Sequence, residues 1–231
     1  MTGRVAIVTG GTGALGQAIT GVLLETGATV AIPYAVAEER AALEGRLAPE
    51  LRARLLPVAA DVTDEAAVAK FVRTVHERHG RVDGLVNAVG GFAGGDLVGT
   101  PLAEWERMMK LNLTSTVIAC RAVLPGMIAG GGGRIVNIAS RAVLPPQGGF
   151  IAYTVSKAAV ITLTQALAQE VRPHRITVNA VLPSTMDTPA NRRAMSDADR
   201  SGWVSTADVA SVVAFLLSDR AAALTGASLT V

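Results

Sequence analysis

The chain has 231 residues, half of them hydrophobic but only 3% aromatic, which suits one large domain with a core of Ala, Val, Leu and Ile. Its 21 Lys and Arg against 19 Asp and Glu leave a net charge of +2, with no basic block and no aromatic residues interleaved among bases, so nucleic acid is not an expected partner. The single cysteine, Cys120, excludes an internal disulfide, and His76, His79 and His174 lack the acidic neighbours of a ligand set, so no metal is expected. The N-terminus runs directly into an apolar segment with no signal-peptide pattern, and no uninterrupted run of 18 apolar residues occurs. A cytoplasmic protein without a membrane partner is the expectation.

The elements follow in order. "RVAIVTG", 4–10, is a short apolar run that reads as a buried strand. A helical pattern continues through Glu25 and stops at Gly27. Residues 28–33 form a second strand and 36–48 a helix with Glu38, Glu39 and Arg40 exposed. Residues 54–61 form a third strand, placed at a sheet edge by Pro57. Asp61 or Thr63 is the expected cap of a helix running to His79, with its histidines solvated. A fourth strand spans 84–90, a long helix 102–129, a fifth strand 134–140, a helix 151–172 and a sixth strand 176–183. A polar segment, 184–205, leads to a helix at 206–218, and "ASLTV" begins a seventh strand. Alternating helices and uninterrupted apolar strands predict a parallel sheet covered on both faces. No composition break divides the chain, so residues 1–231 read as a single α/β domain, doubly wound in the Rossmann manner, with about seven strands.

The first strand–helix turn, "TGGTGALG", contains G-x-G-x-x-G as Gly11, Gly13 and Gly16. Glycine there lets backbone approach a pyrophosphate at a helix N-terminus, and this run has the required context of a preceding strand and a following helix. The second strand ends in "IPYA", with Tyr34 where a ribose-binding acid commonly stands. A missing acid removes the repulsion that excludes a 2′-phosphate, so NADP(H) is favoured over NAD(H), with Arg40 the nearest base. In "AYTVSKAAV", Tyr153 and Lys157 are four apart and share one helix face, where an ammonium can stabilise a phenolate and lower its pKa.

With these motifs in order, the chain resembles the short-chain dehydrogenase/reductase family along its whole length. The family's T-G-x-x-x-G-x-G is matched at Thr9, Gly10 and Gly16, with Ala14 at the middle glycine. Its N-N-A-G appears as Asn87-Ala88-Val89-Gly90, and its Asp-Val pair as Asp61-Val62. Its catalytic residues match Asn112 in "KLNLTS", Ser140 in "IVNIAS", Tyr153 and Lys157. Its P-G turn is Pro183-Ser184, followed by Thr188.

The resemblance implies an NAD(P)-dependent oxidoreductase acting on a small carbonyl or alcohol substrate. Tyr153 would be the acid/base, Lys157 its partner and a ribose ligand, Ser140 the substrate-orienting donor, and Asn112 the holder of a relay water. It implies cofactor contacts from Gly10, Thr12, Gly13, Leu15 and Gly16, from Tyr34, Asp61 and Val62, and from Asn87, Ala88 and Gly90. Pro183, Ser184, Thr185, Met186 and Thr188 would complete them. Loops 91–99, 141–151 and 184–203 would wall the substrate pocket with Phe92, Leu144, Phe150, Met186, Met195 and Trp203, with Arg141, Arg192 and Arg193 available to an anionic group. A homodimer or homotetramer through helices 102–129 and 151–172 is also implied. "NAVGGFAGG" and the stretch after Pro183 further resemble dihydropteridine reductases, which gives quinonoid dihydropterin as an alternative substrate; those enzymes lack the serine present here as Ser140. A nucleotide-sensing protein without catalysis is the alternative from another class.

Overall fold

In β1, Val5–Thr9, every residue is buried. Such a strand has no solvent face and must lie inside a sheet covered on both sides. The computed structural model describes all 231 residues and places β1 there. In chain order it is followed by α1 (Ala14–Glu25), β2 (Thr29–Tyr34), α2 (Ala37–Arg46), the short α3 (Pro49–Arg52), β3 (Leu55–Ala59), α4 (Glu65–His79) and β4 (Gly84–Asn87). Next come α5 (Leu102–Met109), a π turn (Lys110–Thr114), α6 (Ser115–Ala129), β5 (Gly133–Ile138) and α7 (Ile151–Val171). The chain ends with β6 (Ile176–Leu182), β7 (Met186–Asp187), α8 (Pro189–Ala194), β8 (Val204–Ser205), α9 (Thr206–Leu216) and β9 (Ser228–Thr230).

Seven strands form one sheet in the order β3-β2-β1-β4-β5-β6-β9, every neighbouring pair parallel. Side-chain alternation divides the core. Val5 and Ile7 pack with α4, α6 and α7, whereas Ala6 and Val8 pack with α1 and α9. β3 lies at the edge, where Pro57 needs no amide partner on its outer side. The order reverses between β1 and β4, and an open α/β sheet offers its binding crevice at the carboxyl ends of such strands.

The structure departs from the sequence-based expectations at several points. The cap of α4 is Asp64, which accepts from Ala67 N at 3.0 Å; Asp61 instead accepts from both Thr63 N and Thr63 Oγ1 at 2.8 Å. Both are Asx geometries, and spacing alone does not separate a cap from the turn before it. The helix at 102–129 is interrupted by the π turn around Asn112, and the polar segment at 184–205 contains α8 and a parallel β7/β8 pair. His76 is half-buried against α6, where a Cβ at Gly126 would lie 2.5 Å from its Nε2, while His79 is exposed. Leu102–Ala129 and Ile151–His174 are long and apolar enough to cross a membrane by composition. Here they pack on the sheet and bury the polar Asn112, Ser156 and Lys157.

Candidate active site

The glycine turn is fixed by close backbone approach. A Cβ on Gly16 would lie 1.9 Å from the Gly10 carbonyl oxygen, and Gly10 itself has φ +68 and sits against Ala88. Gly13 precedes α1 with no side-chain cap, so the first amides of the helix face outward without a side-chain partner. Such a turn fits a diphosphate. Gly16→Ala is expected to lower the melting temperature by roughly 5–10 °C, the effect of a clash worth about 1–3 kcal/mol, and to weaken dinucleotide binding; thermal melts and nucleotide titration check both.

The end of β5 organises the reactive groups. Ser140 lies two residues past Ile138, is 8% exposed, and its Oγ accepts from Ala142 N at 3.2 Å, which leaves the hydroxyl proton free to donate. The Lys157 ammonium donates to the Ile138 carbonyl at 2.8 Å. The Tyr153 side chain, one turn earlier on α7, lines the same cleft as Ser140, close enough for the serine hydroxyl to affect its ionisation. The strand end fastens the lysine and brings the serine to the phenol. Phe92 and Phe150 surround the Tyr153 ring at centroid distances of 5.0 and 6.2 Å.

Burial controls the ionisation of both groups. It pushes the Tyr153 phenol above its ordinary value, only partly offset by the nearby Ser140 hydroxyl. Burial lowers Lys157 from 10.5 to about 8. The expected lowering of the phenol by Lys157 is not found, because Lys157 is turned to a backbone carbonyl and desolvation outweighs the rest.

Asn112 is 1% exposed within the π turn. Its Nδ2 donates to Ser156 Oγ at 2.9 Å and Gly91 O at 3.2 Å, and its Oδ1 accepts from Gly91 N at 2.9 Å. The amide thus pins the start of loop 91–99 to α7. A Cβ on Gly90 would meet Asn112 Oδ1 at 2.8 Å and Lys157 Nζ at 3.0 Å, so these two residues and Gly90 pack at one point. The bare glycine makes room for both.

A cleft of ≈ 910 Å³ opens at the carboxyl ends of the strands. It is lined by Leu15, Ala88, Gly90, Ser140, Tyr153 and Lys157, by Pro183, Ser184, Thr185 and Met186, and by Phe92, Arg141, Gln147, Phe150, Asn191 and Met195. Loops 91–99 and 141–151 wall it as one unit, since Gly95 N donates to Gly149 O at 2.7 Å and Ile151 N to Gly95 O at 3.1 Å. A second cavity, ≈ 760 Å³, lies among Arg4, Arg81, Arg134, Arg172 and Arg175; none of the tetrad lines it.

Some expected contributors are elsewhere. Leu144 and Trp203 do not line the cleft, and Arg192 pairs with Asp187 at 2.5 Å. The Asn87 side chain is 3% exposed and donates to Asn137 Oδ1 at 2.9 Å and toward Cys120 Sγ at 3.4 Å, so it is spent inside the protein, not in the cleft. Cys120 is a core residue whose thiol burial pushes up to about 12. Thr188 Oγ1 caps α8 through Asn191 N at 3.2 Å. Tyr34 ends β2 and accepts from Ala60 N at 3.0 Å, which brings it near Asp61, just past the edge strand β3, and Val62 is half-buried next to Asp61. Sequence reasoning missed Glu39. Its Oε2 accepts from Thr12 Oγ1 at 2.8 Å, bringing a carboxylate to the glycine turn.

A glycine turn at the switch point and a serine–tyrosine–lysine cluster in the adjoining cleft define a dinucleotide-dependent oxidoreductase of carbonyls and alcohols. The short chain dehydrogenase family model matches residues 4–199, and the chain belongs to the short-chain dehydrogenase/reductase family. It is 31% identical to an NAD-dependent glycerol dehydrogenase of Listeria innocua, over 100% of this chain and 93% of that protein. It is 34% identical to a 3-oxoacyl-[acyl-carrier-protein] reductase of Escherichia coli, over 99% of this chain and 96% of that one. A short-chain type dehydrogenase/reductase structure from Mycobacterium ulcerans superposes with a TM-score of 0.93 at 29% identity, covering 100% of this chain and 89% of that one.

Proposed function

We propose that the enzyme interconverts a largely apolar ketone and its secondary alcohol, with Tyr153 as proton donor and acceptor. The observation that carries this reading is the convergence of Ser140, Tyr153 and Lys157 at the end of β5. The glycine turn and the cleft fit a dinucleotide held by Gly10, Thr12, Gly13, Leu15 and Gly16, by Ala88 and Gly90, and by Pro183 through Met186. A nicotinamide held there would supply or accept the hydride.

The protein's own groups handle the proton and the substrate. The substrate oxygen sits between the Ser140 hydroxyl and the Tyr153 phenol, and Ser140 donates to it as negative charge develops there. Tyr153, kept protonated by burial, then delivers its proton to that oxygen. Lys157, held here on the Ile138 carbonyl, would hold the cofactor ribose and return a proton toward the phenol. Asn112 acts by position, holding Gly91 and α7 around the lysine. Its part in linking Lys157 to solvent belongs to this proposal. Phe92, Phe150, Met186 and Met195 form an apolar slot that suits a planar or cyclic body, and Gln147 and Asn191 supply neutral polar contacts. The presence of Ser140 beside Tyr153 in the cleft favours this carbonyl reading over a dihydropterin.

We also read the protein as a cytoplasmic homo-oligomer. Leu102, Ile128 and Val155 are exposed on the two long helices, and its one cysteine is a buried free thiol. The test of the catalytic reading is Ser140→Ala. It is expected to lower kcat for ketone reduction by about 10²–10³, as loss of one oxyanion donor does, with nucleotide affinity little changed. Steady-state assays of nicotinamide oxidation against a panel of cyclic and aryl ketones check it; activity within about threefold of the parent would remove Ser140 from the mechanism.

A further inference from the structure

We propose that Glu39 selects the cofactor: it replaces the acid missing from the end of β2, holds the adenosine ribose hydroxyls, and makes NAD(H) the working cofactor instead of NADP(H). This inference rests on the dinucleotide-dependent reading above and deepens it.

β2 ends at Tyr34, with no carboxylate on the strand. The first turn of α2 carries Glu38 and Glu39. From there the Glu39 carboxylate reaches back to the glycine turn and accepts from Thr12 Oγ1 at 2.8 Å. Thr12 is itself 9% exposed, and its carbonyl accepts from Gln17 Nε2 at 2.7 Å. The carboxylate is exposed but tied by this hydrogen bond to the glycine turn, at the end of the sheet where this fold places the ribose.

The chemistry discriminates between the two cofactors. An ionised carboxylate only accepts hydrogen bonds, and a ribose 2′-hydroxyl donates one. A 2′-phosphate has no such proton and carries about −1.5 to −2 charges, so it meets Glu39 as a like charge. The nearby bases do not offset this in the observed arrangement. Arg40 is paired with Glu44 at 2.7 Å and lies over the Tyr34 ring at 5.6 Å, and Arg46 donates to Gln17 Oε1 at 2.8 Å. Gly13 offers no side chain. Preference for NADP(H) follows if only the strand end is considered; α2 supplies what the strand lacks.

The test is direct titration of the purified protein with NADH and with NADPH, followed by nucleotide fluorescence in the absence of substrate. NADH is expected to bind at least about tenfold more tightly, and Glu39→Gln to shrink that ratio by about tenfold, mainly by tightening NADPH. Glu38→Gln, the charge-matched control, should leave the ratio unchanged. Equal or reversed affinities in the parent protein, or a ratio in Glu39→Gln within twofold of the parent's, overturns the assignment to Glu39 and leaves the enzymatic reading standing. Binding of neither nucleotide overturns the dinucleotide reading, and this inference with it.

Discussion

Tyr153→Phe is expected to lower kcat for ketone reduction by about 10³ or more while leaving nucleotide affinity within about threefold of the parent, since general acid catalysis contributes roughly 10²–10⁴. The reasoning starts from what the substitution keeps. The ring of Tyr153 packs edge-on against Phe92 at 5.0 Å and lies 6.2 Å from Phe150, and a phenylalanine preserves both contacts. Only the hydroxyl is lost, which shares the cleft with Ser140. The melting temperature should therefore move by no more than about 2–4 °C, the equivalent of one net hydrogen bond. The chemical loss is much larger, because no other group shown beside Ser140 can deliver a proton. Lys157 is turned to Ile138 and held there by its hydrogen bond. Nucleotide titration, thermal melting and single-turnover reduction on the same preparation separate the three effects. A variant that turns over within tenfold of the parent would remove the phenol from the reaction.

The fold was legible because the strands are buried on both faces. Every residue of β1 is apolar or threonine and every one is buried, so the run could be read without periodicity. The Tyr153–Lys157 pair was legible because its spacing is local, the two being four positions apart on one helix, whereas Ser140 and Asn112 were singled out by the family resemblance. What depends on side-chain direction was not legible. Asn87 looks like its cofactor-binding counterparts in sequence, yet its amide turns inward to Asn137. Asp61 and Asp64 are both plausible caps, and only backbone geometry assigns the role to Asp64. Glu39 is exposed, as its place on a short polar helix predicts, but its hydrogen bond to Thr12 across the glycine turn is a tertiary contact that spacing does not reveal. The direction of the phenol's shift was missed for a related reason. Helical spacing places Lys157 on the right face, whereas the balance of burial against charge is decided by neighbours from β5.

The same balance predicts that the site stores instability. Lys157 is 5% exposed and has one hydrogen-bond partner, Ile138 O. Its folded pKa, about 8, lies below the ordinary value of 10.5. Between these values the unfolded chain binds more protons than the folded one, so stability rises with pH from about 8 to 10.5 and is reduced at neutral pH. At about 1.4 kcal/mol per unit, the buried ammonium lowers stability at pH 7 by roughly 3 kcal/mol. Lys157→Met keeps the stem and removes the charge. After loss of the hydrogen bond, worth about 1 kcal/mol, a net gain of about 2 kcal/mol remains, or a melting temperature about 4–8 °C higher at pH 7. The gain should fade as the pH approaches 10, where the parent lysine is neutral in the folded state. Activity should move the other way. Reduction by the variant is expected to be about 10²–10³ slower, and the parent's fall in kcat/KM as Lys157 loses its proton above pH 8 should be absent from its residual rate. Melts at pH 7 and pH 10 with pH–rate profiles for both proteins test the two halves separately. A Lys157→Met protein no more stable than the parent at pH 7 would show that the ammonium is not held at the expense of the fold.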